Sequence, residues 1–245
     1  MINEIKNILF PKKCVGCGSI LPAISKVSGE ERVLCGLCRG KWEAEKGAHC
    51  KRCGKRYSEC RCAVSYLFSR GVRVQLKLAR YRTGDPECIA NKIVHRMKRK
   101  NDTFVFDFAA EQLGRPFVRY VIEKDMDVED IAVTYIPRNK RSVARFGYDH
   151  AKILAEKMAG SVSLVSDTLI VRKGRSTEQK RLSRDERIKN VEGAFALAED
   201  ANVTGKTVFV VDDVITSGAS MAECADVLRK AGAADVIAVS FASTK

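Results

Sequence analysis

The sequence predicts an α/β protein with a mainly parallel sheet flanked by helices, preceded by a small cysteine-rich domain. Three observations carry this. Eight of the ten cysteines fall in four close pairs between Cys14 and Cys62. The short apolar run 207–211 (TVFVV) reads as a buried parallel strand. It is followed by a small-residue loop, a helical stretch at 219–231, Gly232 and a second strand at 235–241, which together make a β-α-β crossover. The expected division is 1–63 for the cysteine-rich domain and 64–245 for the α/β domain. Within the latter, 64–130 is basic and mostly helical and 131–245 is the ligand-binding core.

The chain has 245 residues, 45% hydrophobic and 30% charged, enough to bury a core. This composition excludes a disulfide mini-protein, a collagen-like chain and a wholly disordered one. No apolar run approaches the roughly 18–20 residues that span a bilayer. The N-terminal MINEIKNILFPKK lacks the ordered regions of a secretory signal. The expectation is a cytoplasmic protein without membrane insertion. The net charge of +14 lies entirely in the first hundred residues. Residues 63–100 alone hold ten Lys and Arg against two acids. Such a block points to an anionic partner, nucleic acid being the commonest.

The pairs are Cys14-Val-Gly-Cys17, Cys35-Gly-Leu-Cys38, Cys50-Lys-Arg-Cys53 and Cys60-Arg-Cys62. A Cys-x-x-Cys turn lets two thiolates converge on one ion, and two turns complete a tetrahedron around zinc. Four pairs make two structural Zn²⁺ sites. Disulfides fit poorly in a cytoplasmic chain, and a redox role needs one motif where four are present. Sequential sites, 14/17/35/38 and 50/53/60/62, close shorter loops than an interleaved arrangement. His49 is an alternative ligand. Cys88 and Cys224 stand alone and read as small buried apolar residues.

Residues 64–70 (VSYLFSR) look like a strand. From Val72 to Lys100 the pattern is helical, first through Val74, Leu76, Leu78 and Tyr81, then through Ile89, Ile93, Val94 and Met97. Gly84-Asp85-Pro86 splits this into two helices, with Asp85 as N-cap and Pro86 at the first helical position. Residues 104–122 form a further helix and 125–130 an acidic loop. Strand 131–136 ends at Pro137. A basic loop, RNKRSVARFG, leads to a helix at 149–159, then to short strands near 162–165 and 168–171. Residues 172–190 are densely charged without apolar periodicity.

Ligands of such sheets bind at the C-terminal ends of the strands. There, Val210-Val211-Asp212-Asp213-Val214-Ile215-Thr216-Ser217-Gly218-Ala219-Ser220 sets two carboxylates ahead of a small, hydroxyl-rich turn that opens a helix. Helix N-termini and hydroxyls suit a phosphate, and paired acids accept hydrogen bonds from a sugar diol. Together they would grip a ribose 5-phosphate. The nucleotide loop Gly-x-x-x-x-Gly-Lys-Ser/Thr is absent. An ordinary capped helix and a pair of magnesium ligands are the competing readings.

Three segments carry a resemblance. They are Ile136-Pro137…Arg141…Arg145-Phe146-Gly147-Tyr148-Asp149-His150, then Ser176-Thr177-Glu178-Gln179-Lys180-Arg181-Leu182…Arg187…Asn190-Val191…Phe195, then the acid-pair stretch. With the cysteine-rich start and Leu78-Ala79-Arg80-Tyr81, they resemble the ComF family of competence-associated proteins, a branch with the type I phosphoribosyltransferase fold. Two departures stand out: the family's usual Arg-Gly-Phe-Asn-Gln is here Phe-Gly-Tyr-Asp-His, and Ser176 replaces a common threonine.

The resemblance implies binding of phosphoribosyl pyrophosphate (PRPP). Asp212 and Asp213, the expected catalytic pair, would hold the ribose 2′- and 3′-hydroxyls. Thr216, Ser217, Gly218, Ala219 and Ser220 would cradle the 5-phosphate. Arg138, Lys140, Arg141 and Arg145 would meet the pyrophosphate, bridged by Mg²⁺. Residues 172–190, with Gln179 and Arg187, would form a closing flap. The implied chemistry is phosphoribosyl transfer through an oxocarbenium-like loss of pyrophosphate, in a protein of natural transformation and DNA uptake. The alternative is a non-catalytic factor that binds single-stranded DNA or docks a competence helicase, with PRPP as regulator. The basic stretch Arg70 to Lys100, with Phe68 and Tyr81 for stacking, favours DNA.

Overall fold

The computed structural model describes residues 11–22, 32–173, 188 and 191–244. Its centre is a parallel sheet of four strands: β1 (Gln75–Arg80), β2 (Ile131–Tyr135), β5 (Thr207–Ile215) and β6 (Asp235–Ser243), in the spatial order β1-β6-β5-β2. β2 runs beside β5 from Ile131↔Thr207 to Tyr135↔Val211, so both strands end at the same edge. β6 pairs with β5 as far as Ile215↔Ser243. A separate antiparallel pair joins β3 (Ile170–Arg172) to β4 (Phe195–Leu197).

Seven helices are described: α1 (Gly36–Gly47), α2 (Ser65–Ser69), α3 (Ile89–Arg99), α4 (Thr103–Glu123), α5 (Lys140–Phe146), α6 (His150–Ser161) and α7 (Ala219–Lys230). The sheet separates two apolar layers because successive strand residues face opposite ways. Phe209, Val211, Ile237, Val239 and Phe241 face α1, α3, α4 and α6. Val208, Val210, Val236 and Ala238 face α2, α7 and the small sheet. Burial on both faces explains the unbroken apolar run at 207–211. Phe117 of α4 meets Phe209 edge-on at 4.6 Å. Trp42 of α1 is fully buried and stacks on Phe241 at 5.1 Å with 3° between the rings. The cysteine-rich segment thus adds an aromatic anchor to the core of the sheet.

Five expectations change. Residues 64–70 are not a strand, since 65–69 is the one-turn helix α2, which buries Leu67 against α7. The supposed helix before Gly84 is β1, an edge strand on β6. Leu76 and Leu78 are two apart, as a strand requires, but the buried polar Gln75 and Lys77 interrupt its apolar pattern. Pro86 does not open α3; Asp85 accepts from Glu87 N and Cys88 N in the preceding turn, and the helix starts at Ile89. Its first amides, on Ile89 and Ala90, are capped by Glu45 of α1 at 2.7 and 2.9 Å. Residues 162–165 form no strand; Ser166 bridges to Val133 instead. The basic loop after β2 contains α5, because Asn139 caps Ser142 N at 2.6 Å and Gly147 closes the helix at φ +78°. Among the described residues no helix is long and apolar enough to cross a membrane.

Candidate functional site

The eight paired cysteines gather sequentially, Cys14, Cys17, Cys35 and Cys38 in one group and Cys50, Cys53, Cys60 and Cys62 in the other. Within each group the sulfurs lie within 4.8 Å of one another, and none is in a disulfide. His49 is outside both groups and bridges by its backbone to Arg56. Backbone amides already point at sulfur, Cys35 N to Cys14 at 3.3 Å and Cys62 N to Cys60 at 3.4 Å. The Ser19 hydroxyl pulls the Cys17 thiol down to about 6. Burial and neighbouring thiols push Cys62 up to about 12. Four sulfurs at this spacing fit one zinc ion per group, with no position left for a reacting water. These are structural sites.

The second centre is the C-terminal edge of the sheet. β5 continues past its expected end, so Asp212 and Asp213 are strand residues. They do not sit alike. Asp213 is 3% exposed, and its Oδ2 lies 2.8 Å from His150 Nε2 of α6 and 3.1 Å from Lys98 Nζ of α3. Burial alone would raise this carboxyl, but His150 and Lys98 hold it far below the usual range. Asp212 is half-buried and accepts from Asp213 N at 2.8 Å. Burial and the adjacent Asp213 charge push it well above the usual range. Lys98 is also raised, since the two carboxylates outweigh its own burial. One ligand atom from each of His150, Asp212 and Asp213 lies within 4.8 Å of the others, but His150 and Lys98 already occupy Asp213, so the oxygen ligand left for a hard divalent cation is Asp212.

After Ile215 the chain turns through Thr216 and Ser217 into Gly218, at φ +84°, which opens α7. A side chain at Gly218 would clash, since a Cβ there would meet Leu67 Cγ at 2.7 Å and Val64 Cγ2 at 2.9 Å. Glycine is required both by the left-handed turn and by α2 packed behind it. Ser217 Oγ accepts from Ala219 N at 3.4 Å, and Thr216 O accepts from Thr244 Oγ1 at 3.1 Å. Thr216 is exposed, Ser217 and Ser220 are half-buried, and Gly218 and Ala219 are buried.

The basic residues reach the same edge from β2, whose extension Ile136 N donates to Val211 O at 3.1 Å. Lys140, Arg141 and Arg145 are exposed on α5, and Arg138 precedes it. Phe146 lies beneath both Arg138 and Arg145, whose guanidinium carbons stand 5.5 and 5.4 Å from its ring centre. Arg138 Nη1 is buried without a hydrogen-bond partner. Asp149 ties both ends of the segment together. It accepts from Arg138 N at 2.9 Å and caps α6 through Ala151 N at 3.0 Å.

The edge therefore brings together Asp212, Asp213, the 216–220 turn and the segment carrying Arg138, Lys140, Arg141 and Arg145. Gln179 and Arg187 lie outside the described residues. Sequence reasoning did not assign Lys98 or His150. His150 ends the Phe-Gly-Tyr-Asp-His segment, which was a usable signal. Lys98 gave none, being one cation in a basic helix. His95 of α3 lies within 3.3 Å of Tyr81 Oη and is lowered by burial and by Lys98.

Comparison with known proteins finds two matches along the chain. Residues 5–65 match the model of the double zinc ribbon domain, and residues 142–245 that of the phosphoribosyl transferase domain. Competence protein F of Haemophilus influenzae is 33% identical over 94 residues, 38% of this chain and 41% of that protein. DNA utilization protein YhgH of Salmonella typhi and that of Escherichia coli K12 are each 31% identical over 105 residues, 42% of this chain and 45% of theirs. The aligned stretch thus spans less than half the length of these relatives. The chain thus joins a stretch that matches a double zinc ribbon to one that matches a phosphoribosyl transferase domain, and it is similar to Competence protein F and to DNA utilization protein YhgH.

Proposed function

We propose that the chain binds PRPP at the C-terminal edge of its sheet and serves DNA uptake, with phosphoribosyl transfer as its chemistry. The observation that carries this is the convergence there of a half-buried carboxylate, a hydroxyl-lined left-handed turn at a helix start, and a basic helix from the neighbouring strand. The start of α7 and the Thr216, Ser217 and Ser220 hydroxyls receive the 5-phosphate. Asp212 accepts from the ribose hydroxyls. Asp213, held by His150 and Lys98, fixes the end of the strand. Arg138, Lys140, Arg141 and Arg145 take the pyrophosphate, and their positive charge favours its departure from C1. Mg²⁺ would enter at Asp212 with PRPP and supply further charge neutralisation. Calorimetry on Asp212→Asn tests the site. At least about a ten-fold loss of PRPP affinity is expected, the worth of one good hydrogen bond. Unchanged affinity sinks the assignment.

The names of the relatives, Competence protein F and DNA utilization protein, support the DNA context. A separate observation favours contact with single-stranded DNA. A cavity of about 320 Å³ is lined by Lys12, Lys13, Arg32, Arg96 and Lys100, with Phe104 in its wall. Asp102, its one acid, is already taken by Arg96 at 2.8 Å. Binding of single-stranded DNA should weaken steeply as salt rises, and a flat response between low and physiological salt removes this reading.

A further inference from the structure

Lys77 lies in the middle of β1 and is 1% exposed. A buried ammonium is strongly unfavourable without a compensating charge. Among the described residues no carboxylate reaches it. Its Nζ donates instead to Cys60 Sγ at 3.3 Å and to Cys62 O at 2.7 Å. Both partners belong to the second cysteine group. The backbone repeats the connection, since Gln75 N donates to Arg61 O at 3.1 Å and Cys62 bridges to Val74. The ligand segment 60–62 is thus laid along the start of the edge strand β1, with a lysine reaching back into it.

Four thiolates around one Zn²⁺ carry a net charge of −2. That surplus is what the buried ammonium needs, and the ammonium is what a buried anionic centre needs. We propose that Lys77 is the counter-charge of the second zinc centre, so that this centre and strand β1 stand or fall together. The first centre is joined to the sheet by other means, the Trp42 stack and the Glu45 cap on α3. The two zinc ions therefore differ in role. The second completes the sheet, and its loss leaves a bare cation inside the sheet edge.

Pulsed cysteine alkylation with mass-spectrometric readout tests this on the zinc-loaded full chain under a chelator challenge. In Lys77→Met, Cys50, Cys53, Cys60 and Cys62 are expected to react about ten-fold faster than in wild type, the usual effect of losing a partner that supports a metal ligand. Cys14, Cys17, Cys35 and Cys38 should keep their wild-type rate. Lys77→Arg, which keeps the charge, should stay close to wild type. Equal acceleration of both groups, or an arginine variant as labile as the methionine one, overturns the proposal. Hydrogen exchange on the unaltered chain gives an independent reading should Lys77→Met fail to fold. The amides of β1 should lose protection at the chelator concentration that exposes Cys50 to Cys62. Protection that survives alkylation of those cysteines also overturns it.

Discussion

In the cysteine groups every ligand comes from one short stretch of chain, Cys14 to Cys38 in the first and Cys50 to Cys62 in the second. At the opposite kind of centre, Asp213 of β5 meets Lys98 from α3 and His150 from α6, while the basic helix arrives from β2. Short loops cost little entropy to close, so the thiolates of the first group can converge without the sheet, while those of the second also lean on Lys77 of β1. The carboxylate edge exists only when β2, β5, α3 and α6 are all in register. Local ligands make a centre robust to damage elsewhere, whereas a centre assembled from distant elements inherits the weaknesses of each.

The largest test of that contrast is Trp42→Ala. Removing a fully buried aromatic that stacks on Phe241 should cost about 3–5 kcal/mol in urea denaturation. The protein that remains folded should still carry its zinc, because no ligand is touched. Zinc lost in proportion to stability would break the contrast. A smaller effect is expected at the carboxylates. Asp213→Asn should cost about 2–3 kcal/mol at neutral pH, less than a fully buried pair would, since the Lys98 side chain is 38% exposed. The Asp213 carboxyl is depressed in the folded state, so its contribution is complete above the unfolded value near 3.8 and drains away as pH falls below it. The gap between wild type and variant should therefore close in acid. Asp212→Asn should go the other way, a slight gain at neutral pH, because its carboxyl is raised and its ionised form is disfavoured in the fold. A gap at Asp213 that persists in acid, or equal effects of the two variants, would show that the pair is not divided as described.

This contrast also governs what the amino-acid sequence reveals. The ligands of the cysteine centres were legible because spacing along the chain is the geometry of the site, whereas their pairing was only favoured by loop length and is given by the fold. The β5–α7 turn was legible too, since carboxylates, hydroxyls and Gly218 are neighbours in sequence. The strand β1 was hidden by Gln75 and Lys77, whose burial makes sense only once Ser240 and Cys60 are beside them. The helix α5 was hidden behind its charges, although Asn139 and Gly147 mark both its ends. Lys98 could not be found at all, because its meaning comes from Asp213, brought to it by the folded sheet.

Asp149 fastens the segment between β2 and α6 at its neck, one carboxylate oxygen on Arg138 N and the other on Ala151 N and Lys152 N. A stretch clamped in this way behaves as a single lever with its fulcrum at the clamp. Its three exposed cations would swing toward or away from an incoming polyanion in concert, and a change at the fulcrum would be felt at all of them together.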